Sequence, residues 1–292
     1  MKILLKSSLN EKELNYKTNL NKNIEIQLLD ELLKYNLDSE EVYKKIKKAN
    51  LNIEVIHTPL INHEDIDLLS IVNEKDKYEM FYKTCILAEY IAEKENKEII
   101  VVIHNSNSIE SYKELNLLFK IENLLKEILN ICPKIKIAIE NVIPLILSNN
   151  KAKGKTAFLG EGAELSNYLN SNGLNGKIGT VLDICHATIT INILKCCGTT
   201  ISLEDFFKWN KDEIMLIHLA NTKGSGYLKG EHGCAFSQDK EDLIKLEEFY
   251  KLYLKYKYKC PITIEVYEEY YCNCINYINT YNNFMNIKNS LK

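Results

Sequence analysis

The stretch Val181-Leu182-Asp183-Ile184-Cys185-His186-Ala187 has the form of a short apolar strand that ends on an aspartate, with a histidine three residues later. A carboxylate and an imidazole at one strand end can bind a divalent cation, or one can bind while the other transfers protons. Alone the pattern is weak, because an aspartate at a strand end is often a cap or turn residue. It gains weight because apolar runs that end on His, Asp or Glu recur along the whole chain.

Apolar, β-branched runs alternate with longer segments of helical periodicity. The predicted strands are residues 2–6, 24–29, 51–56, 99–103, 135–139, 178–182, 214–217 and 262–266. The predicted helices are residues 11–20, 39–49, 64–95, 111–130, 161–171, 201–209, 239–257 and 270–287, with Ser39, Ser111, Ser202 and Asp239 as N-caps. This alternation predicts one α/β domain, residues 1–292, folded as a (β/α)8 TIM barrel. A doubly wound open sheet is the alternative, but it normally has fewer units and a glycine-rich first turn.

Composition limits the class of protein. With 292 residues, of which 46% are hydrophobic and 26% charged, the chain is typical of a globular protein with a large core. No apolar run approaches the roughly 18 residues of a transmembrane helix, and the start of the chain is too quickly polar for a signal peptide. The nine scattered cysteines are typical of reduced thiols. We therefore expect a cytoplasmic protein without membrane contact.

The charged residues limit how the protein can bind anions. A net charge of −3 gives no electrostatic footprint for nucleic acid. All 37 basic residues are lysines, because the sequence contains no arginine. A bidentate arginine clamp for phosphate or carboxylate is therefore excluded. Any bound anion must be held by lysine, by backbone N–H groups or by a metal ion.

Residues that can bind a metal ion lie at the ends of most predicted strands. They are Glu25 in the second strand, His57, His104, Glu140, Asp183 with His186, His218 and Glu265 at strands three to eight, and His232 in the loop after strand seven. Each one singly is explained as well by a structural role, but the set would converge on one face of a barrel. Imidazoles with carboxylates suit Zn²⁺, Mn²⁺ or Fe²⁺. Their number allows two or three ions about 3.5–4 Å apart, and Cys185 is expected to pack rather than bind.

Two long loops should cover this face of the barrel. Residues 148–162 and 222–233 are rich in glycine and lysine and follow the fifth and seventh strands. Gly154-Lys155-Thr156 imitates the end of a phosphate-binding loop, but the earlier glycine is absent, so no nucleotide site is predicted. Lys223, Lys229 and the lysines of residues 151–155 are candidates for gripping a phosphate.

The motifs at the strand ends resemble those of the xylose isomerase-like TIM barrels. They are Ile56-His57-Thr58-Pro59, Val102-Ile103-His104, Ala138-Ile139-Glu140-Asn141, Leu182-Asp183-Ile184-Cys185-His186-Ala187, Ile217-His218-Leu219, Glu231-His232-Gly233 and Ile264-Glu265-Val266. That superfamily contains sugar and sugar-phosphate isomerases and epimerases, and also endonuclease IV, the apurinic/apyrimidinic endonuclease. The resemblance covers nearly the whole chain and implies one to three divalent ions, Zn²⁺ or Mn²⁺.

For the isomerase branch the resemblance implies one ion held by Glu140, Asp183, His218 and Glu265. Glu140 and Glu265 would exchange a proton with carbon, and His186 would steady a substrate hydroxyl. A metal that polarises the carbonyl and holds two oxygens in place makes this proton transfer reasonable. The substrate would be a sugar or a sugar phosphate.

For the endonuclease branch the resemblance implies a trinuclear zinc cluster. Its ligands would be His57, His104, Glu140, Asp183, His186, His218, His232 and Glu265. DNA would be a partner only in this branch, with hydrolysis beside an abasic sugar.

The sequence departs from both branches. The epimerases carry a Glu and an Arg where this chain has Ile146 and Gly224, and endonuclease IV carries aspartates where it has Asn221 and Gly230, unless Glu231 substitutes.

Two features favour the sugar branch in sequence. The second strand, with Glu25 as a substrate-binding residue, resembles the glutamate-bearing second strand of the isomerase-like members, and Leu60 replaces the aromatic residue expected to invade DNA. Set against these features, Lys223 and Lys229 could bind phosphates of DNA, although a sugar phosphate would use them equally well. We therefore expect an isomerase or epimerase, with the endonuclease as the alternative. A non-catalytic accessory barrel is a further alternative, and the tyrosine-rich residues 267–281 could form a homodimer surface.

Overall fold

The computed structural model describes residues 1–29, 38–59, 66–106, 115–143, 145–146, 152–153, 161–224, 231–270 and 273–291. Parallel strands form a closed barrel in which each strand pairs with its neighbours in the sequence. They are β1 (Ile3–Ser7), β2 (Asn23–Gln27), β3 (Asn52–His57), β4 (Ile99–His104), β5 (Ile135–Glu140), β6 (Ile178–Asp183), β7 (Ile214–Leu219) and β8 (Ile262–Ile264). The first strand pairs with both β2 and β8, which closes the barrel. The predicted (β/α)8 fold is confirmed.

Helices surround the barrel. They are α1 (Glu11–Lys17), α2 (Ser39–Lys48), α3 (Ser70–Asn73), α4 (Lys75–Glu95), α5 (Leu115–Ile131), α6 (Glu161–Leu169), α7 (Ile184–Cys196), α8 (Leu203–Asn210), α9 (Lys240–Lys255) and α10 (Ile275–Ser290). A π-helical turn, Asn170–Leu174, extends α6, and Leu145–Ile146 pairs antiparallel with Ala152–Lys153 after β5. In the described ranges, no helix is long and apolar enough to cross a membrane.

The helices differ from the prediction in three places. The segment predicted as one helix, 64–95, contains two helices, because Glu74 between them is extended with φ −124° and ψ 113°. Helix α7 was not predicted at all. Asp38, rather than Ser39, caps α2 by accepting the backbone N–H of Glu40.

Two other predicted caps are at the expected positions. Ser202 caps α8 in a capping box with Asp205, whereas Asp239 stands at the N-cap of α9 without a side-chain cap bond. Ser111 and most of the predicted loops 148–162 and 222–233 lie outside the described residues.

The interior of the barrel contains a layer of small and branched side chains from alternate strand positions. These are Leu4, Val55, Val102, Ala138, Val181 and Leu216, all buried. Because successive residues of a strand point to opposite faces, the residues two positions further along point inward as well. The sequence therefore builds a second inward layer nearer the C-terminal ends of the strands.

Candidate metal centre

The second inward layer contains most of the residues that could bind a metal ion. Counting two residues on from the apolar layer gives Lys6, His57, His104, Glu140, Asp183 and His218. Glu265 follows the last residue of β8 on the same end of the barrel. An apolar floor below and a polar ring above are typical of a site at the C-terminal face of a TIM barrel.

Glu140 at the end of β5 lies at the middle of this ring. Its Oε2 is 3.1 Å from Nε2 of His57, 3.3 Å from Nδ1 of His218 and 3.6 Å from Nε2 of His104. Burial opposes ionisation of the carboxyl, but the charges of His218 and His104 prevail and hold the pKa of Glu140 well below its usual value. Three imidazoles around one carboxylate oxygen form a cluster that can exchange protons for metal ions.

The ligand atoms form two groups that share Glu140. One consists of His57, His104 and Glu140; the other consists of Glu140, Asp183, His218 and Glu265. Within each group the candidate ligand atoms lie within 4.8 Å of one another. A shared carboxylate can bridge two ions, so the two groups are candidates for two adjacent divalent positions.

Hydrogen bonds fix the orientation of three of the histidines. Nδ1 of His57 donates to the carbonyl of Thr58 at 3.0 Å, and Nδ1 of His186 donates to the carbonyl of Asn141 at 2.8 Å. Nε2 of His218 donates to Oε2 of Glu25 at 3.0 Å. In each ring this leaves the other nitrogen as the atom available to a metal ion, and such hydrogen bonds are how proteins orient imidazole ligands.

Two buried atoms of the centre give the most direct evidence for a metal-binding site. Nδ1 of His218 and Oε2 of Glu265 are 2.7 Å apart. Neither atom makes a well-directed hydrogen bond to any residue that the structure describes. Buried polar atoms are rarely left in this way, and a divalent ion between them would satisfy both. The residues present therefore fit a divalent metal centre.

Asp183 has a structural role as well as a position in the ring. Its Oδ1 accepts the backbone N–H of His186 at 2.5 Å and so caps α7. Its backbone is held by Asn141, which accepts from the N–H of Asp183 at 2.7 Å and donates to its carbonyl at 3.1 Å. Burial raises the pKa of Asp183 above its usual value, and the nearby carboxylates Glu140 and Glu265 add to this effect.

The remaining predicted ligands lie beside the two groups. The rings of His186 and His232 stack with centroids 5.0 Å apart, and Nδ1 of His186 is 3.5 Å from Glu140. The carboxylate of Glu231 lies over Gly224, where an added Cβ would be 2.2 Å from its Oε1. Among the described residues a third group of ligands is not formed.

Glu25 and Lys6 lie next to the ligands His218 and Glu265. Glu25 is fully buried; its Oε2 accepts from Thr263 at 2.7 Å as well as from His218, so its position fits orienting this ligand rather than contacting substrate. Lys6 donates to Oε1 of Glu265, and its Nζ is 3.5 Å from Oε1 of Glu25. Burial opposes its charge, but the carboxylates Glu265 and Glu25 outweigh it and raise the pKa of Lys6.

Lys6 and Asn141 were not assigned a role from sequence. A lysine in a first strand is usually interpreted as a solvent-exposed residue. The sequence signal for its inward position is the alternation of the strand, because Lys6 points to the same side as the inward-facing Leu4. Asn141 was visible only as the residue after Glu140, because its bonds to the backbone of Asp183 depend on the pairing of β5 with β6.

The loop residues contribute less to the described centre. Lys223 is exposed beside a cavity bounded by α9, and Lys229 lies outside the described residues, as do Lys151 and Lys155. The thiol of Cys185 is buried and accepts the N–H of Gly233 at 3.5 Å, consistent with the predicted packing role.

A cavity of about 390 Å³ adjoins the centre on the side of β1 and β8. It is bounded by Lys6, His232 and Glu265 from the centre and by Ser8 and Tyr267 on the outer side. A volume of this size accepts a small molecule such as a sugar.

Comparison with solved structures supports the fold. The chain matches an AP endonuclease of family 2 from Brucella melitensis with a TM-score of 0.62 and 10% identity, covering 95% of this chain and 98% of that one. It matches 3-keto-D-glucoside 4-epimerase from E. coli with a TM-score of 0.60 and 12% identity, covering 99% of both chains. It matches the IOLI protein with a binding zinc atom with a TM-score of 0.60 and 15% identity, covering 99% of this chain and 97% of that one.

These structures are xylose isomerase-like TIM barrels, and this chain has their fold, as its motifs predicted. At such low identities the likeness concerns the fold alone. No protein-family model matches the sequence, and no curated protein matches it. The fold and the site together therefore define a (β/α)8 barrel, similar in fold to these structures, with a candidate divalent-metal centre.

Proposed function

We propose that the protein is a divalent-metal-dependent phosphodiesterase of the endonuclease IV type, cleaving a DNA strand beside an abasic sugar. The observation that carries this proposal is the position of His57 and His104 around the same oxygen of Glu140 that faces His218. In a single-ion isomerase these two imidazoles would lie outside the four-ligand group. A two-ion hydrolase uses both.

The chain's own residues would then have distinct roles. Glu140 would be the shared ligand, His57 and His104 would complete one position, and Asp183, His218 and Glu265 would complete the other. Bound divalent ions would lower the pKa of a water molecule and stabilise the negative charge that develops on a phosphoryl oxygen. His186 and His232, stacked at the edge, would bind a substrate oxygen or hold a further ion.

The surroundings of Glu140 suit a metal ligand. It is buried among imidazoles, and its carboxylate belongs to both ligand groups. A carboxylate shared between two ions would be less available to take a proton from carbon.

A metal-dependent sugar or sugar-phosphate isomerase or epimerase is the second candidate. The cavity of about 390 Å³ beside Glu265 favours it, because a sugar fits that volume next to the four-ligand group. The two sequence features that favoured this candidate support it less in the structure. Glu25 is hydrogen-bonded to His218, and Leu60 lies outside the described residues.

One assay separates the two candidates. The metal-loaded protein is incubated with a duplex that contains an abasic site, and in parallel with a panel of ketoses and ketose phosphates. We expect incision at the abasic site without exchange of substrate hydrogen in the sugars. Sugar isomerisation without incision would overturn the proposal and favour the second candidate.

The variant His57→Ala tests the same point independently. In a two-ion hydrolase it should reduce incision at least about 100-fold, because one position loses a ligand. In a one-ion isomerase His57 is not a ligand, so sugar turnover should stay within a few-fold of the unmodified protein. Glu98→Gln, at an exposed ion pair with Lys136 and Lys177, is the matched control that should change neither activity.

A further inference from the structure

The net charge of the centre depends on Lys6. The centre contains four carboxylates, from Glu25, Glu140, Asp183 and Glu265. Lys6 forms ion pairs with Glu25 and Glu265. Among the described residues, no other lysine forms an ion pair with any of these four carboxylates. In a chain without arginine, this lysine is the cation that the barrel itself supplies to the centre.

The charge balance of the loaded centre follows from simple counting. Two divalent ions together with Lys6 carry one positive charge more than the four carboxylates. One ion with Lys6 leaves one negative charge instead. A buried centre with excess charge favours a ligand of the opposite sign. In a two-ion centre Lys6 therefore supplies the one positive charge by which the cations exceed the four carboxylates, and this excess favours an anionic ligand.

Lys6 is also placed to touch such an anion. Its Nζ is directed at Oε1 of Glu265 and lies 3.5 Å from Oε1 of Glu25. An ammonium has three N–H groups, of which Glu265 accepts one, so the ammonium can also donate to a ligand. The side chain is 15% exposed and borders the cavity beside Glu265 and His232. A group bound in the cavity near Glu265 therefore meets the ammonium of Lys6.

We propose that Lys6 is the anion-binding residue of this site and that, with the two ions, it makes a phosphoryl group the part of the substrate that the centre recognises. The inference rests on the proposed function, since it takes the centre to hold two ions. A compact ammonium contacts a phosphate oxygen as a point charge. The phosphoryl group could belong to a phosphodiester or to a sugar phosphate.

Inorganic phosphate is the probe that tests the inference. Its dissociation constant is measured by calorimetry on the Mn²⁺-loaded full-length protein, together with metal content by elemental analysis. We expect Lys6→Met to weaken phosphate binding at least about 10-fold, with metal content unchanged. Lys2→Met is the matched control, because Lys2 lies just before the same strand and pairs only with surface Glu54 among described residues. It should bind phosphate as the unmodified protein does.

A second variant separates charge from packing. Lys6→Gln can still donate a hydrogen bond to Glu265 but has no charge, so it should lose phosphate affinity as Lys6→Met does. Phosphate binding equal to that of the unmodified protein in either variant would overturn the inference. Loss of metal in both variants would also overturn it, because Lys6 would then act by holding Glu265.

The same measurements keep the two proposals apart. If the unmodified protein retains one ion per chain, the two-ion function fails, and the Lys6 inference, which takes the centre to hold two ions, fails with it. If it retains two ions while Lys6→Gln binds phosphate normally, only the inference about Lys6 fails. Displacement of bound phosphate by an abasic-site duplex would identify a phosphodiester as the source of the phosphoryl group. Displacement by a ketose phosphate alone would identify a sugar phosphate, supporting the Lys6 inference but not the endonuclease.

Discussion

Glu140 connects the two halves of the candidate centre through one carboxylate oxygen. Its Oε2 faces His57, His104 and His218 within 3.6 Å. An amide at this position has the same shape but one acceptor oxygen and no charge. The consequences of removing that charge should therefore appear in both ligand groups at once.

We expect Glu140→Gln to lose both ions and to reduce activity more than about 100-fold. Elemental analysis after dialysis against Mn²⁺ measures the first effect. Loss of one ion only would mean that the two groups are independent. Glu98→Gln, at an exposed ion pair, should keep its full metal content.

Most of the ring could be predicted from sequence because each member follows an apolar β-branched run. His57, His104 and Glu140 each end a strand in the structure. Lys6 obeys the same alternation, but a lysine is by default interpreted as a surface residue. The stacking of the histidine rings and the contact of three histidines with one oxygen of Glu140 could not be predicted. Both depend on distances between strands that are far apart in sequence.

Helix α7 shows why one element escaped prediction. It begins at Ile184, directly after β6, and most of its residues are Ile, Thr, Ala and Leu, with little polar periodicity. Most of its turns are buried, including Ile189 and Ile193, so no amphipathic stripe marks it. β-Branched residues also favour strands. Its start is fixed instead by the cap from Asp183.

The two roles of Asp183 can be separated with two substitutions. Asn caps a helix about as well as Asp, so Asp183→Asn should keep the free energy of unfolding of the metal-free protein and lose metal binding. Asp183→Ala also loses the cap and should unfold about 1 kcal/mol more easily. Urea denaturation of the metal-free variants measures the difference. Equal stability of the two variants would argue against the cap.

Strand β6 approaches β7 closely at Gly179. A Cβ there would be 2.4 Å from Cγ of Met215 and 2.7 Å from the carbonyl oxygen of Glu213. We expect Gly179→Ala to destabilise the protein by about 1–3 kcal/mol. Gly162→Ala is the matched control, because its nearest contact would be an ordinary 3.6 Å. Thermal unfolding that shows equal stability for both would contradict the steric argument.

The stability of the whole molecule should depend on pH differently with and without metal. Burial opposes protonation of His218, but Glu25, Glu140 and Glu265 raise its pKa well above the usual value. A group whose pKa is raised in the folded state stabilises that state fully below its unfolded pKa, about 6.5 for histidine. This contribution is lost as pH rises through the elevated pKa. A bound ion replaces that proton.

We therefore expect the melting temperature of the metal-free protein to fall as pH rises from about 6.5 into the alkaline range. With Mn²⁺ bound, the contribution of His218 should no longer change over that range. Scanning calorimetry at matched ionic strength measures both profiles. Parallel profiles would contradict the assignment of His218 as a ligand.

The pairing of β1 with β8, which closes the barrel, determines when the centre can form. Lys6 and Glu265 are 259 positions apart in the chain, and β1 meets β8 over only a few residue pairs. Contacts this distant in sequence form late in folding, after the loop between them has closed. Complete assembly of the centre therefore requires nearly the whole polypeptide to have left the ribosome. Binding of the full complement of metal would then report that synthesis and barrel closure are finished, because a chain that ends before β8 lacks Glu265 and cannot complete the four-ligand group.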